Sequence, residues 1–102
     1  MLRNNTVYAD SATGIIEEIR SCQMGNSRYT LVNVQGKWIE IAKDSSTVGD
    51  DTRSANTSFA LAAYLSGKEV VIRYTAQTNT QKCYKTMSGY ISNGTSGNYF
   101  TM

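Results

Sequence analysis

The stretch "FALAAYLSGKEVVIRY", Phe59 to Tyr74, decides how the rest of the chain is read. Its first half is rich in Ala and Leu, strong helix formers that lose little freedom in a helix. Gly67 suits the left-handed position just past a helix end, where a side chain would be strained. The run "KEVVIRYTA" that follows is β-branched and aromatic, the composition of a strand. A helix is therefore delivered directly into a strand, and the question is what precedes and follows that unit.

Towards the N-terminus, "TGIIEEIRSC" places Ile15, Ile16 and Ile19 among charges, a first strand whose imperfect alternation suggests a bulge. Gly25 and Asn26 supply a turn, "RYTLVNV" a second strand, "QG" a second turn and "KWIEIA" a third strand, so three strands form a meander. "KDSSTVGDDTRSAN", Lys43 to Asn56, is polar and aperiodic and reads as a solvated loop, with Asn56, Thr57 or Ser58 placed to cap the helix. After the fourth strand, "QTNTQKCYK" is a polar connection, and "MSGYIS" with "NYFTM" forms the closing strand or hairpin around "NGTSG".

The order is three strands, one helix, two strands. A mainly β domain follows, a five-stranded, partly open barrel of the OB type in which a helix between strands three and four plugs one end. The competing architecture is a small α+β sheet with the helix across one face. At 102 residues the chain, residues 1–102, is one domain with no room for a second core.

Composition removes several functions. The net charge is +2, and Lys and Arg are scattered singly, which does not favour nucleic acid. No apolar run approaches the roughly 20 residues that span a bilayer, so this chain is not expected to insert into a membrane. "MLRNNTVYADS" lacks the apolar segment of a signal peptide, and the expectation is a secreted or periplasmic protein whose signal lies outside this sequence.

With no His anywhere, the common Ser/His/Asp and Cys/His arrangements are excluded. Glu17 with Glu18 and Asp50 with Asp51 are neighbours on a strand and in a loop, which reads as solvated pairs rather than catalytic ones. Gly36 and Lys37 lack the rest of a phosphate loop. No enzyme activity, cofactor or metal is expected. Cys22 and Cys83 lie far apart without CxxC spacing; a long-loop disulfide leads, and two unrelated thiols are the alternative. If the bond forms, it adds about 4 kcal/mol in the chain-entropy model.

The aromatic residues say more. If Ile39 and Ile41 face the interior, alternation places Trp38 and Glu40 on the outer face of strand three. An exposed Trp38 could stack on a sugar, pack against another subunit, or lie under the polar loop that follows. Seven tyrosines among Ser, Thr and Asn give the composition of adaptable recognition surfaces.

"AAYLSGKEVVIRY" resembles the helix-to-strand segment of bacterial toxin B subunits, and "SATGIIEEI", "NSRYTLVNV" and "GKWIEIAKDSS" fall in matching order from Ser11 to Tyr74. The pertussis-like branch, with the B subunits of typhoid toxin and subtilase cytotoxin, is the most similar. The resemblance implies a homopentameric ring of OB-fold protomers that binds host cell-surface glycans, sialic acid among them, as a lectin. The ring would carry a separate enzymatic A subunit. Carried over residue by residue, the glycan site falls on Tyr8, Asp10 and Ser11 of "YADS", with Asn33 near the position of the family's second-strand basic residue. Ala9 and Asp10 stand where that branch has an aromatic pair. Lys43, in the loop after strand three, is a further contact by likeness to cholera-like relatives. The helix from Thr57 to Ser66 would face the pore through Ala60 and Ala63 or Ser66, and Trp38 would serve the interface. The other reading is an OB module that binds single-stranded nucleic acid or a protein partner.

Overall fold

The computed structural model describes residues 9–44, 50–91 and 97–102, with residues 50–54 described by their backbone alone. The domain is mainly β with one helix. The elements in order are β1 (Ala9–Met24), β2 (Ser27–Val34), β3 (Lys37–Asp44), α1 (Asp50–Ser66), β4 (Glu69–Ala76), β5 (Gln81–Lys82), β6 (Lys85–Tyr90) and β7 (Tyr99–Thr101).

The meander forms through two tight hairpins. Met24 faces Ser27 across Gly25 and Asn26, and only the Gly takes a positive φ (61°), as a type II′ turn requires. Val34 faces Lys37 across Gln35 and Gly36, both at positive φ, the type I′ alternative. The bulge in β1 lies between Ile16 and Glu18. It lets one long strand serve two partners: Ala9 to Ile15 pairs with β4, and Ile16 to Met24 pairs with β2.

The sheet runs β5-β6-β3-β2-β1-β4-β7, and β6 pairs with β4 as well. β6 is parallel to β3 through Trp38 to Glu40 and antiparallel to β4 at Thr75 and Ala76. Strands β1, β2, β3, β6 and β4 are thus joined pairwise in a circuit. At the junction, Gly89 leaves no room for a side chain: a Cβ there would collide with the Thr75 carbonyl oxygen and the Tyr74 ring.

The sequence reading needs correction in four places. The helix runs Asp50–Ser66, so the second half of the supposed loop is helical, and Asp50 and Asp51 are helix rather than loop residues. Asn56 lies inside the helix and does not cap it. Its Nδ2 donates to the Ile41 carbonyl (2.7 Å), beyond the last β3–β6 pair at Glu40. Asn56 supplies a donor where no strand does. Among the described residues β7 does not pair with β6; it pairs instead with Val71 to Arg73 of β4. Trp38 and Glu40 are buried, at 8% and 3% exposure, although they do face away from Ile39 and Ile41.

The main core lies between the sheet and α1: Ala12, Ile16, Val32, Val34, Ile39, Ile41, Val70, Ile72 and Tyr74 meet Ala60 and Ala63. Ala60 and Ala63 therefore pack within the chain and do not line a pore; α1 approaches β1 and β3 closely because these side chains are small. Gly67, at φ 70°, ends the helix, and its N–H donates to the Ala63 carbonyl (3.0 Å). Phe59 meets Phe100 of β7 edge to face, with ring centroids 4.7 Å apart.

A second, smaller cluster covers the opposite face of β3. Leu31, Trp38, Cys83 and Met87 pack with Cys22 and Tyr29, and the Cys22–Cys83 disulfide ties the β5–β6 hairpin over them. That hairpin is what buries Trp38.

Candidate functional site

Register places the candidate site on the outside of the β1–β4–β7 ladder. Ser11 pairs with Arg73, and Arg73 pairs on its other side with Tyr99. Residues directly opposite in a ladder share a face. The next row, Ala12, Ile72 and Phe100, faces the core, with Ala12 and Ile72 buried. Ser11, Arg73 and Tyr99 consequently project together to the outside, and all three are exposed. Thr13, Val71 and Thr101 form the following outward row. With strands about 4.8 Å apart, the Ser11–Arg73–Tyr99 row spans about 10 Å.

Its surroundings are polar and fixed. Ser11 N–H donates to Asp10 Oδ1 (2.8 Å), and Lys37 Nζ donates to the Ser11 carbonyl (3.1 Å). The Tyr74 hydroxyl donates to Asp10 Oδ2 (3.3 Å), and Thr13 N–H donates to Gln35 Oε1 (2.9 Å). Asp10 is thus held by a buried tyrosine at the edge of the row. The row offers a hydroxyl, a guanidinium and an aromatic face, with the Lys37 ammonium beside it. That set can bind an anionic, hydroxyl-rich ligand with an apolar ring face. Among the described residues no group of His, Cys, Asp and Glu could hold a metal ion, and no helix is long and apolar enough to cross a membrane.

The residues expected at the site are only partly gathered here. Ser11 belongs to it; Asp10 pairs with Tyr74 on the other face of β1, at the rim, and meets the row only by accepting from the Ser11 N–H. Tyr8 lies outside the described residues. Asn33 sits in mid-sheet, paired with Glu18 and Trp38, and Lys43 pairs with Tyr29, its Nζ 5.8 Å from the centre of that ring. Neither is paired with Ser11. Arg73, Tyr99 and Lys37 were missed by sequence reasoning. They come from three separate strands: the register of β1 on β4 and of β4 on β7 joins Arg73 and Tyr99 to Ser11, and Lys37 reaches the Ser11 carbonyl from the start of β3; "VIRY" and "NYF" hold no spacing that signals a shared site.

Comparison with family models, with curated proteins and with solved structures finds no match to this chain.

Proposed function

We propose that this protein is a glycan-binding subunit, built as an OB-type barrel, and that it binds host sugars as the B subunit of a secreted bacterial toxin does. The observation that carries the reading is the exposed Ser11–Arg73–Tyr99 row. Sugars are held by aromatic faces against apolar ring patches and by polar groups that fix hydroxyls. Arg73 gives the row a cation, and a guanidinium receives the carboxylate of an acidic sugar such as sialic acid in bidentate fashion. The circuit β1-β2-β3-β6-β4 and the place of α1 in the chain, between β3 and β4, support the barrel. The disulfide supports an exported protein, since such bonds persist in oxidising compartments.

A homopentameric ring seating a separate A subunit belongs to the same proposal. Its support is the outward side of α1, where Leu61, Tyr64 and Leu65 are exposed, Leu65 at 80%. A contact between subunits would run through these residues, with Ala60 and Ala63 beneath them in the main core; Trp38 lies in the second cluster, on the face of β3 away from α1. A ring converts weak single-site affinity into firm adhesion through effective concentration.

The test is a glycan array with the folded protein and with Arg73→Gln. Acidic glycans should bind, and the substitution should cost about 1.5–3 kcal/mol per site, the scale of a hydrogen bond to a charged group. Equal binding by Arg73→Gln would reject the site, and no binding by the parent would reject the function. For the ring, light scattering should give a multiple of the chain mass that falls to the monomer in Leu65→Ser with Tyr64→Ser. A monomeric parent at micromolar concentration would remove the ring.

A further inference from the structure

At the far end of β1 from Ser11, the β5–β6 hairpin turns through Cys83 and Tyr84. Lys82 faces Lys85, and the two residues between them both take positive φ, 53° and 64°, as a two-residue type I′ turn demands. Asn-Gly or Asp-Gly ordinarily fills such a turn, because the left-handed region is costly for a residue with a bulky side chain. Here the turn is held from outside. Cys83 is bonded to Cys22, its N–H donates to Met24 Sδ (3.4 Å), and Arg20 Nη1 donates to its carbonyl (3.3 Å).

Tyr84 contributes nothing to that restraint. Its side chain is 98% exposed, so the ring packs on no part of the domain while its backbone occupies an unfavourable conformation. An aromatic ring displayed at a cost to folding belongs to a contact with another molecule. The charge below it indicates what kind. Lys82 and Lys43 stand over the Tyr29 ring, at 4.7 and 5.8 Å from its centroid, and Arg20 and Lys85 over Trp38, at 5.4 and 5.6 Å. Among the described residues Glu18 is salt-bridged to Arg20 and Glu40 to Lys82, and Asp44 follows Lys43 at the end of β3. The four cations about these two rings outnumber those three carboxylates.

We infer that the Tyr84 tip is a second saccharide-binding site, which takes an acidic sugar by stacking the ring on its apolar face while Lys85 meets its carboxylate or sulfate. This rests on the glycan-binding reading above and adds a site to it. The two sites are separated along β1 by up to about 36 Å, the rise of the strand between Ser11 and Cys22, so one monovalent sugar does not bridge them. A single-stranded nucleic acid is the less suited anion. It needs successive stacking platforms along a groove, whereas Trp38 is buried and Tyr29 half-buried, which leaves one ring free at the tip.

The experiment uses the oxidised chain carrying Ser11→Ala and Arg73→Gln, so that the first site is silent. Binding is measured by calorimetry to a sialylated trisaccharide, a sulfated heparin tetrasaccharide, lactose and an oligothymidylate, alongside thermal unfolding. In this background at least one acidic saccharide should bind, and lactose should bind at least tenfold more weakly; the preferred acid identifies the anionic group. Adding Tyr84→Gly should weaken that binding at least tenfold yet raise the melting temperature by about 4 °C or more, because Gly relieves the turn. Tyr84→Phe should leave both near the parent values, and Lys85→Gln should weaken acidic-sugar binding at least threefold. Undiminished binding by Tyr84→Gly, or tighter binding of oligothymidylate than of any saccharide, would overturn the inference. If the unmutated chain binds acidic sugars and the Ser11→Ala, Arg73→Gln chain does not, the second site falls and the first stands. If the unmutated chain binds none of these sugars, both fall.

Discussion

On one face of β3, Ile39 and Ile41 join a core to which every long strand and the helix contribute; on the other, Trp38 and Glu40 lie beneath a single short hairpin. The first face is held by the summed burial of alternating apolar residues, and the loss of one contact is shared by many neighbours. The second contains few apolar groups. It is closed by the disulfide, by the ion pair of Lys82 with the buried Glu40, and by cations over its two rings. The difference teaches that a strand can be buried on both sides for unrelated reasons, and that the second burial depends on a covalent tie spanning 61 residues.

Removing that tie is the strongest way to break the contrast. Cys22→Ser with Cys83→Ser should lower unfolding free energy by about 4 kcal/mol in the chain-entropy model. Under mild reduction the Trp38 emission should shift to the red before far-UV circular dichroism changes, since the hairpin opens ahead of the main core. Coincident transitions would show that the two faces form one cooperative unit.

Gly89→Ala probes the seam of the main core, where β6 meets β4. The added Cβ meets backbone and a buried ring rather than the end of a flexible chain, so a loss of about 3 kcal/mol is expected in urea denaturation. Gly25→Ala is the control. Nothing lies within 4 Å of its Cβ position, and only its φ of 61° opposes the change, so about 1 kcal/mol is expected. Equal losses would mean that close approach at Gly89 is relieved by a small strand shift.

The smallest effect concerns the end of β3. Asn56→Ala leaves the Ile41 carbonyl without the donor seen at 2.7 Å, at a cost of about 1 kcal/mol, and hydrogen exchange should quicken along α1. A loss below about 0.3 kcal/mol would show that solvent reaches that carbonyl.

The sequence by itself determined the local elements: the meander, the turns at Gly25–Asn26 and Gln35–Gly36, the bulge in β1, and the helix that ends at Gly67 and enters β4. These follow from periodicity and turn chemistry, which act between near neighbours. It also favoured the bond between Cys22 and Cys83 that the fold contains. Three things were settled only by the tertiary structure. Asp50 to Asn56 became helix rather than loop, because Asn56 finds its partner on β3 and not at a helix start. Trp38 and Glu40 became buried because alternation assigns a side chain to a face but says nothing of what later folds across that face. Arg73 and Tyr99 came to stand beside Ser11 through strand register, a relation between residues far apart in the chain that no local pattern encodes.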